Sequence, residues 1–182
     1  ALNANTTGGS NTALGYGALL ANTTADNNTA IGRNAMVANT TGTACVAIGN
    51  YALDASNASN NIAIGYNAMT ANTTGDQNTV IGSYASNTNT TGSGNVALGY
   101  NAIGSADCSS NTALGTSTLV GTTGADNTAV GAYAMQSATT GGYNVAVGKN
   151  ALQANTTGQT NTAVGRLALD ANTTGCDNVA VG

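Results

Sequence analysis

A five-residue unit, Asn161-Thr162-Ala163-Val164-Gly165, recurs in close variants along the whole chain of 182 residues. When the chain is aligned on the glycine that ends each unit, successive glycines are 16 or 17 residues apart. A one-residue deletion recurs without loss of phase, which predicts that the slack lies in a turn. These anchor glycines are Gly15, Gly32, Gly49, Gly65, Gly82, Gly99, Gly115, Gly131, Gly148, Gly165 and Gly182.

Asparagine marks a second fixed position, four residues before the anchor glycine, in ten of the eleven coils. Cys45 takes that position in the remaining coil. In a stack of coils these side chains would lie above one another and form an amide ladder, so we predict a structural role for them. The ladder residues are Asn11, Asn28, Asn61, Asn78, Asn95, Asn111, Asn127, Asn144, Asn161 and Asn178.

The period of the repeat decides the fold class. It is too short for a repeat of two helices, which needs about 30 residues or more, and β-branched residues bounded by Gly and Asn are typical of short strands. We therefore predict an all-β parallel β-solenoid, or β-roll, of about eleven coils of 16–17 residues with two short strands per coil. The first strand is the Asn-Thr-Ala-Ile-Gly stretch and the second the Ala-Leu-x-Ala stretch, with Asn-Thr-Thr-Gly as a turn.

Residues 1–182 would form one solenoid domain, with coils stacked at about 4.8 Å into a rod of roughly 50 Å. Because solenoid ends need caps, we expect this domain to be a fragment of a longer fibre protein. Neighbouring strand residues point to opposite faces, so Thr29 and Ile31 share one face and Ala30 takes the other. Both faces are apolar or small, which predicts that one of them is covered by a second copy of the chain.

Charge is scarce: 5% of residues are charged, with three Lys and Arg, seven Asp and a net charge of −4. Nucleic-acid binding needs clustered basic residues, so nucleic acid is not a predicted partner. Hydrophobic residues make up 41% of the chain and are strictly phased, which argues against a disordered low-complexity chain. No apolar run approaches the roughly 20 residues of a membrane span, so we expect no membrane insertion of this segment.

The sequence contains no His and no Glu, so the usual acid-base partners of enzymes are missing. We predict no enzymatic activity and no cofactor. The aspartates fall near turns and are expected to be solvated, and the calcium-binding repeat of β-rolls is missing, so no metal site is predicted. Cys45, Cys108 and Cys176 lie too many coils apart for an intrachain disulfide. Free thiols and contacts between chains both stay open.

Tyrosines follow the anchor glycines on one edge of the predicted solenoid. Tyr16, Tyr66 and Tyr100 come directly after an anchor, and Tyr51, Tyr84 and Tyr133 come one residue later. Such a row can stack on sugars, shield the edge of the solenoid or pack between chains.

Threonine pairs mark the other edge in nine coils, and two coils, around Ala58 and Ala106, lack the pair. A regular Thr array on a β-solenoid is a design of ice-binding proteins, which makes ice binding an alternative function. Most pairs also complete Asn-x-Thr sequons, as at Asn39 and Asn155, which a eukaryotic secretory pathway could glycosylate. The candidate surface residues on this edge include Thr73, Thr74, Thr156 and Thr157.

Three units resemble the repeats of a known family: Asn-Thr-Ala-Leu-Gly-Tyr at 11–16, Asn-Ile-Ala-Ile-Gly-Tyr at 61–66 and Asn-Val-Ala-Leu-Gly-Tyr at 95–100. They resemble the head repeats of trimeric autotransporter adhesins, the YadA-like left-handed parallel β-roll, and related repeats of phage tail fibres. The resemblance covers the whole chain and implies a homotrimer of parallel solenoids around a shared aliphatic interior. The Asn-Thr-Thr-Gly turn departs from that family, whose head repeats are shorter.

These observations together predict a structural or adhesive segment of an extracellular fibre on a cell or virion surface. The expected partners are further copies of the chain, as a homotrimer or filament, and a host-surface glycan or protein. Ice binding and an inert rigid spacer remain the alternatives.

Overall fold

Each anchor glycine directly follows a three-residue β-strand in the computed structural model, which describes residues 1–104 and 107–182. All eleven strands pair in parallel and in chain order to form one sheet, which confirms the predicted parallel β-solenoid. The strands are β1 Thr12–Leu14, β2 Thr29–Ile31, β3 Val46–Ile48, β4 Ile62–Ile64, β5 Thr79–Ile81, β6 Val96–Leu98, β7 Thr112–Leu114, β8 Thr128–Val130, β9 Val145–Val147, β10 Thr162–Val164 and β11 Val179–Val181.

The strand register is the same whether a coil has 16 or 17 residues. Ala30 pairs with Ala47 across a 17-residue step, and Ala47 pairs with Ala63 across a 16-residue step. The deletion therefore falls outside the sheet. It lies in the Thr-Thr turn, where Asn57 alone occupies the space that Thr40 and Thr41 fill in the preceding coil. The predicted slack in a turn is confirmed.

The middle residue of each strand points into the solenoid, and the outer two point away from it. Ala30 is fully buried, whereas Thr29 and Ile31 are only partly buried. The first and third residues of β1–β11 thus form one outward surface, which we call the sheet face. Alanine and one valine, Val80, fill the inward positions, because the coil is too thin for larger side chains from both sides.

The second strand predicted in each coil is wrong: within the described residues each coil carries one strand. Ala35 and Met36 are adjacent and both fully buried, which the alternation of a strand forbids. The backbone achieves this by turning into the left-handed region at Asn34 (φ 56°) and Met36 (φ 51°). Coils remain bonded, since the Met36 amide donates to the Ala52 carbonyl at 3.0 Å.

Left-handed backbone at a bulky residue costs roughly 1–2 kcal/mol. Full burial of a Leu, Ile or Met side chain contributes about 1.5–3 kcal/mol, which offsets that cost at the position four residues after most anchors; Ser86 takes this position after Gly82. The buried side chains there are Leu19, Met36, Leu53, Met69, Ile103, Leu119, Met135 and Leu152.

The anchor glycines are required by two constraints at once. Gly131 has φ +126°, outside the region that other residues adopt easily, and a Cβ built on it would lie 2.7 Å from the Gly148 carbonyl oxygen. Gly94 has φ +70° and nothing closer than 3.8 Å around a Cβ. Asn27 and Asn60 stand at the position of Gly94 in other coils, with φ 61° and 59°.

We expect Gly131→Ala to lower the free energy of unfolding by clearly more than 1 kcal/mol, because backbone strain of about 1–3 kcal/mol adds to a displaced coil. The control, Gly94→Asn, should leave stability nearly unchanged, since Asn tolerates this left-handed position. Thermal unfolding followed by circular dichroism compares the two. Equal melting temperatures for both variants would contradict this role of the anchor.

Candidate functional site

The predicted amide ladder is present, and each rung bonds the next coil twice. Asn61 Oδ1 accepts the Asn78 amide hydrogen at 2.9 Å, and Asn61 Nδ2 donates to the Gly75 carbonyl at 2.8 Å. Both carboxamide atoms are thus satisfied inside the solenoid, where an unpaired polar group would be costly. The structural role predicted for these asparagines is consistent with this burial.

A second amide ladder, which the sequence analysis missed, runs seven residues after the anchors. Asn72 is fully buried; its Nδ2 donates to the Gly75 carbonyl at 3.0 Å, and its Oδ1 accepts the Gly75 amide hydrogen at 3.1 Å. The two ladders therefore converge on one carbonyl in the coils that hold Asn at both positions, whereas Ser56, Thr122 and Ala138 interrupt the second ladder. The signal was the Asn of the Asn-Thr-Thr-Gly consensus. Other buried members are Asn22, Asn39, Asn89 and Asn155.

The buried asparagines of the second ladder are also the acceptor residues of Asn-x-Thr sequons. Asn39, Asn72 and Asn155 have no exposed side chain in the folded coil, so a glycan on any of them would have to displace buried hydrogen bonds. Folded coils therefore disfavour glycosylation at these three positions.

Cys45 replaces an asparagine of the first ladder and copies both of its bonds. Its Sγ donates to the Ala58 carbonyl at 3.3 Å and accepts the Asn61 amide hydrogen at 3.5 Å. Burial raises the pKa of the Cys45 thiol, so it stays protonated. Burial also raises the pKa of Cys108 to about 11, while Cys176 is exposed. All three cysteines are free thiols in the single chain.

We expect Cys45→Asn to raise the free energy of unfolding by about 0.5–1.5 kcal/mol, since an amide makes stronger hydrogen bonds than a thiol. Cys45→Ala is the matched control and should lose about 1–3 kcal/mol, because the Ala58 carbonyl and the Asn61 amide would lose their partner. Chemical denaturation measures both. A Cys45→Asn variant less stable than the natural chain would show that the thiol is not standing in for an amide.

The Thr-pair edge is a hydrogen-bonded turn. Thr73 Oγ1 donates to the Thr90 carbonyl at 3.0 Å, and Thr156 Oγ1 donates to the Thr173 carbonyl at 2.9 Å. The first hydroxyl of each such pair is therefore used between coils, and the second threonine, such as Thr74 or Thr157, is exposed. Both Thr73 and Thr74 are exposed, but the Thr73 hydroxyl is committed to the neighbouring coil, which weakens the lattice-matching argument for ice binding on this edge.

The predicted pair Thr122–Thr123 is not equivalent to the others. Thr122 is buried at the second-ladder position, where its Oγ1 accepts the Gly124 amide hydrogen at 3.0 Å. Ser56 does the same for the Ala58 amide in another 16-residue coil. In each case the shorter side chain fits the shortened turn. Ala106, in the remaining 16-residue coil, lies outside the described residues.

Two shortened coils keep their turn bonds by substituting a side-chain oxygen for a backbone carbonyl. In a 17-residue coil the Thr23 carbonyl accepts the amide hydrogens of Thr6 and Thr7. In shortened coils Asn57 Oδ1 accepts the Thr40 amide hydrogen at 2.7 Å, and Asp107 Oδ1 accepts the amide hydrogens of Thr90 and Thr91.

Asp107 is an exposed turn residue, as expected, and its carboxylate also bonds the neighbouring coil. The hydrogen bond from the Thr90 hydroxyl, with further bonds from Thr91, holds the pKa of the Asp107 carboxyl below its usual value. Asp26 and Asp76 also bond the neighbouring coil, since each Oδ1 accepts a backbone amide hydrogen, from Gly9 and Ser59 respectively.

A lowered pKa in the folded state means that Asp107 contributes stability above its unfolded pKa of about 3.9, and that this contribution is lost as the pH falls through the folded value. Asn57 already occupies the equivalent position in another shortened coil, so the Asp107→Asn variant should fold at neutral pH. We expect the variant to lose less stability than the natural chain between about pH 5 and pH 2. Melting temperatures measured across this pH range test the prediction. Equal losses of stability in the variant and in the natural chain would refute the role assigned to Asp107.

Tyrosines gather on the edge that follows the sheet. Tyr84 packs edge-on between Tyr66 and Tyr100, with ring centroids 5.3 Å and 5.9 Å apart. Desolvation raises the pKa of Tyr84, and the neighbouring tyrosines Tyr66 and Tyr100 raise it further. Tyr51 instead packs under Arg33, whose guanidinium lies 5.7 Å from the ring centroid. Tyr16 is highly exposed and outside the cluster.

Among the described residues no group of His, Cys, Asp or Glu is arranged to hold a metal ion, and no pocket opens in this part of the chain. Burial raises the pKa of the Asp54 carboxyl, whose Oδ1 has no hydrogen-bond partner. Residues 1–104 and 107–182 also include no helix long and apolar enough to cross a membrane.

No family model matches the chain, and no curated protein or solved structure is significantly similar to it.

Proposed function

We propose that the chain is a rigid, self-associating rod segment of an extracellular surface fibre, which presents its remaining edges to a host-surface glycan or protein. The observation that carries this proposal is the sheet face. Its third-residue column consists of Leu, Ile and Val alone, and its first-residue column of Thr, Val and Ile. No charged residue occurs in either column.

The sheet face is exposed in the single chain. Val96 and Leu98 of the central strand β6 keep 40% and 45% of their surface in contact with solvent. A continuous, uncharged and largely apolar surface of this length is typical of a protein interface, and parallel sheets are usually covered on both faces. Another copy offers a surface of the same length and spacing, so self-association covers the face most completely.

Charges on the two sides of the sheet favour parallel association. All three basic residues, Arg33, Lys149 and Arg166, directly follow an anchor glycine at the C-terminal edge of the strands. A two-fold or three-fold axis parallel to the rod places this edge alongside the N-terminal edge of the next copy at the rim of the sheet-face contact, whereas antiparallel rods place like edges side by side. Aspartates lie on that N-terminal edge, five or six residues before an anchor, at Asp26, Asp76, Asp126 and Asp177.

The resemblance to trimeric adhesin and tail-fibre repeats supports a homotrimer as the form of this association. Stiffness supports a fibre role, because every coil is tied to the next by strand pairing and by the amide ladders. An inert spacer would share this stiffness but needs no aromatic cluster on its edge. Ice binding is less well supported, because the hydroxyls of Thr73 and Thr156 donate hydrogen bonds to carbonyls of the neighbouring coil.

Leu98→Lys places a charge at the centre of the sheet face, and we expect it to convert the assembly to monomers because the ammonium group would have to be desolvated. Leu20→Lys is the matched control: Leu20 is similarly exposed, at 41%, and lies outside the sheet face. It should leave the oligomeric state unchanged. Sedimentation velocity at micromolar concentration distinguishes the two.

A natural chain that stays a soluble monomer in this experiment would overturn self-association. So would a Leu98→Lys variant that associates as well as Leu20→Lys does. Circular dichroism of both variants establishes that the coils remain folded.

A further inference from the structure

The cluster of Tyr66, Tyr84 and Tyr100 differs from the other tyrosines because the Tyr84 ring contacts the rings on the coils before and after it. The strand register holds the cluster in place, since the Tyr84 amide donates to the Tyr66 carbonyl at 2.9 Å. Tyr66 and Tyr100 nevertheless keep 44% and 55% of their surface exposed. The rings therefore form a rigid aromatic platform, which a ligand can use without first ordering the side chains.

Tyr84 stands where the backbone favours another residue. Its φ is +59°, in the left-handed region, and Asn34, Asn67 and Asn101 hold the same position in other coils. Asparagine adopts this conformation far more readily than a bulky aromatic residue does. Unlike the leucines and methionines of the core, Tyr84 is only partly buried, so burial does not fully offset the cost of its left-handed backbone. Tyr51 and Tyr133 share this conformation, with φ 57° and 60°, so contact with Tyr66 and Tyr100 is what distinguishes Tyr84.

The residues around the platform define the chemistry of a ligand. The two positions after Gly65, Gly82 and Gly99 hold Tyr66, Asn67, Ser83, Tyr84, Tyr100 and Asn101. They provide ring faces, hydroxyls and amides, and no charge. A neutral saccharide matches this set, because a pyranose ring has a flat C–H face for stacking and a rim of hydroxyls for hydrogen bonds. An anionic ligand would find no cation here.

We propose that Tyr66, Tyr84 and Tyr100 form a docking platform for a neutral, extended oligosaccharide. The inference rests on the proposed role of the rod as a surface-presenting fibre, and it names the class of ligand and the edge that binds it.

The test titrates the whole chain with cellohexaose and with chitohexaose and follows tyrosine fluorescence, which is unobscured because the chain has no Trp. We expect saturable binding of at least one probe. Tyr84→Asn should weaken it at least about tenfold while the melting temperature stays the same or rises, since the strained position gains its favoured residue. Tyr133→Asn is the matched control, because Tyr133 occupies the same position with φ 60° outside the cluster, and it should bind as the natural chain does.

Absence of saturable binding to either probe would overturn the platform, and so would equal affinities for Tyr84→Asn and Tyr133→Asn. If Tyr84→Asn dissociates the assembly, the cluster is a contact between copies and the proposal is also overturned. Sedimentation of the same samples separates this inference from the proposed function. A monomeric chain that binds sugar refutes self-association alone, and an assembly that binds neither probe refutes the platform alone.

Discussion

The structure depends on a turn carbonyl that accepts two side-chain amides in the coils where both ladders carry asparagine. Gly75 is the example: its oxygen is bonded by Asn61 of the preceding coil at 2.8 Å and by Asn72 of its own coil at 3.0 Å. The first bond ties coil to coil, and the second closes the turn. Because each amide is buried and has few alternative partners, displacing any coil would leave several polar groups unsatisfied.

This constraint explains which substitutions the repeat accepts. Cys45 keeps a donor and an acceptor on one short side chain. Ser56 and Thr122 still bond the amide two residues ahead in coils shortened by one residue. Asp107 supplies an oxygen where its 16-residue coil lacks the usual Thr-Thr step. These turn groups stay hydrogen-bonded while the residue type that bonds them varies.

Much of the fold was predictable from the sequence. The period, the anchor glycines and the first amide ladder follow from strict repetition, and the structure places them as expected. The second predicted strand failed because an Ala-Leu stretch in a thin solenoid buries two adjacent side chains, as at Ala35 and Met36, and only left-handed backbone allows that. Composition alone does not reveal such a conformation. The contact of Tyr84 with its neighbours depends on register and ring orientation, which the repeat pattern leaves open.

The central claim about function is that rods associate in parallel through the uncharged sheet face. Cys176 is the exposed cysteine, while Cys45 and Cys108 are buried, so a spin label can be directed to the last coil without mutation. The most direct measurement is the distance between labels in the assembled protein by pulsed electron paramagnetic resonance. Parallel rods predict a distance well below half of the roughly 50 Å rod length. Labels separated by about that full length, or no coupling between labels, would contradict the account.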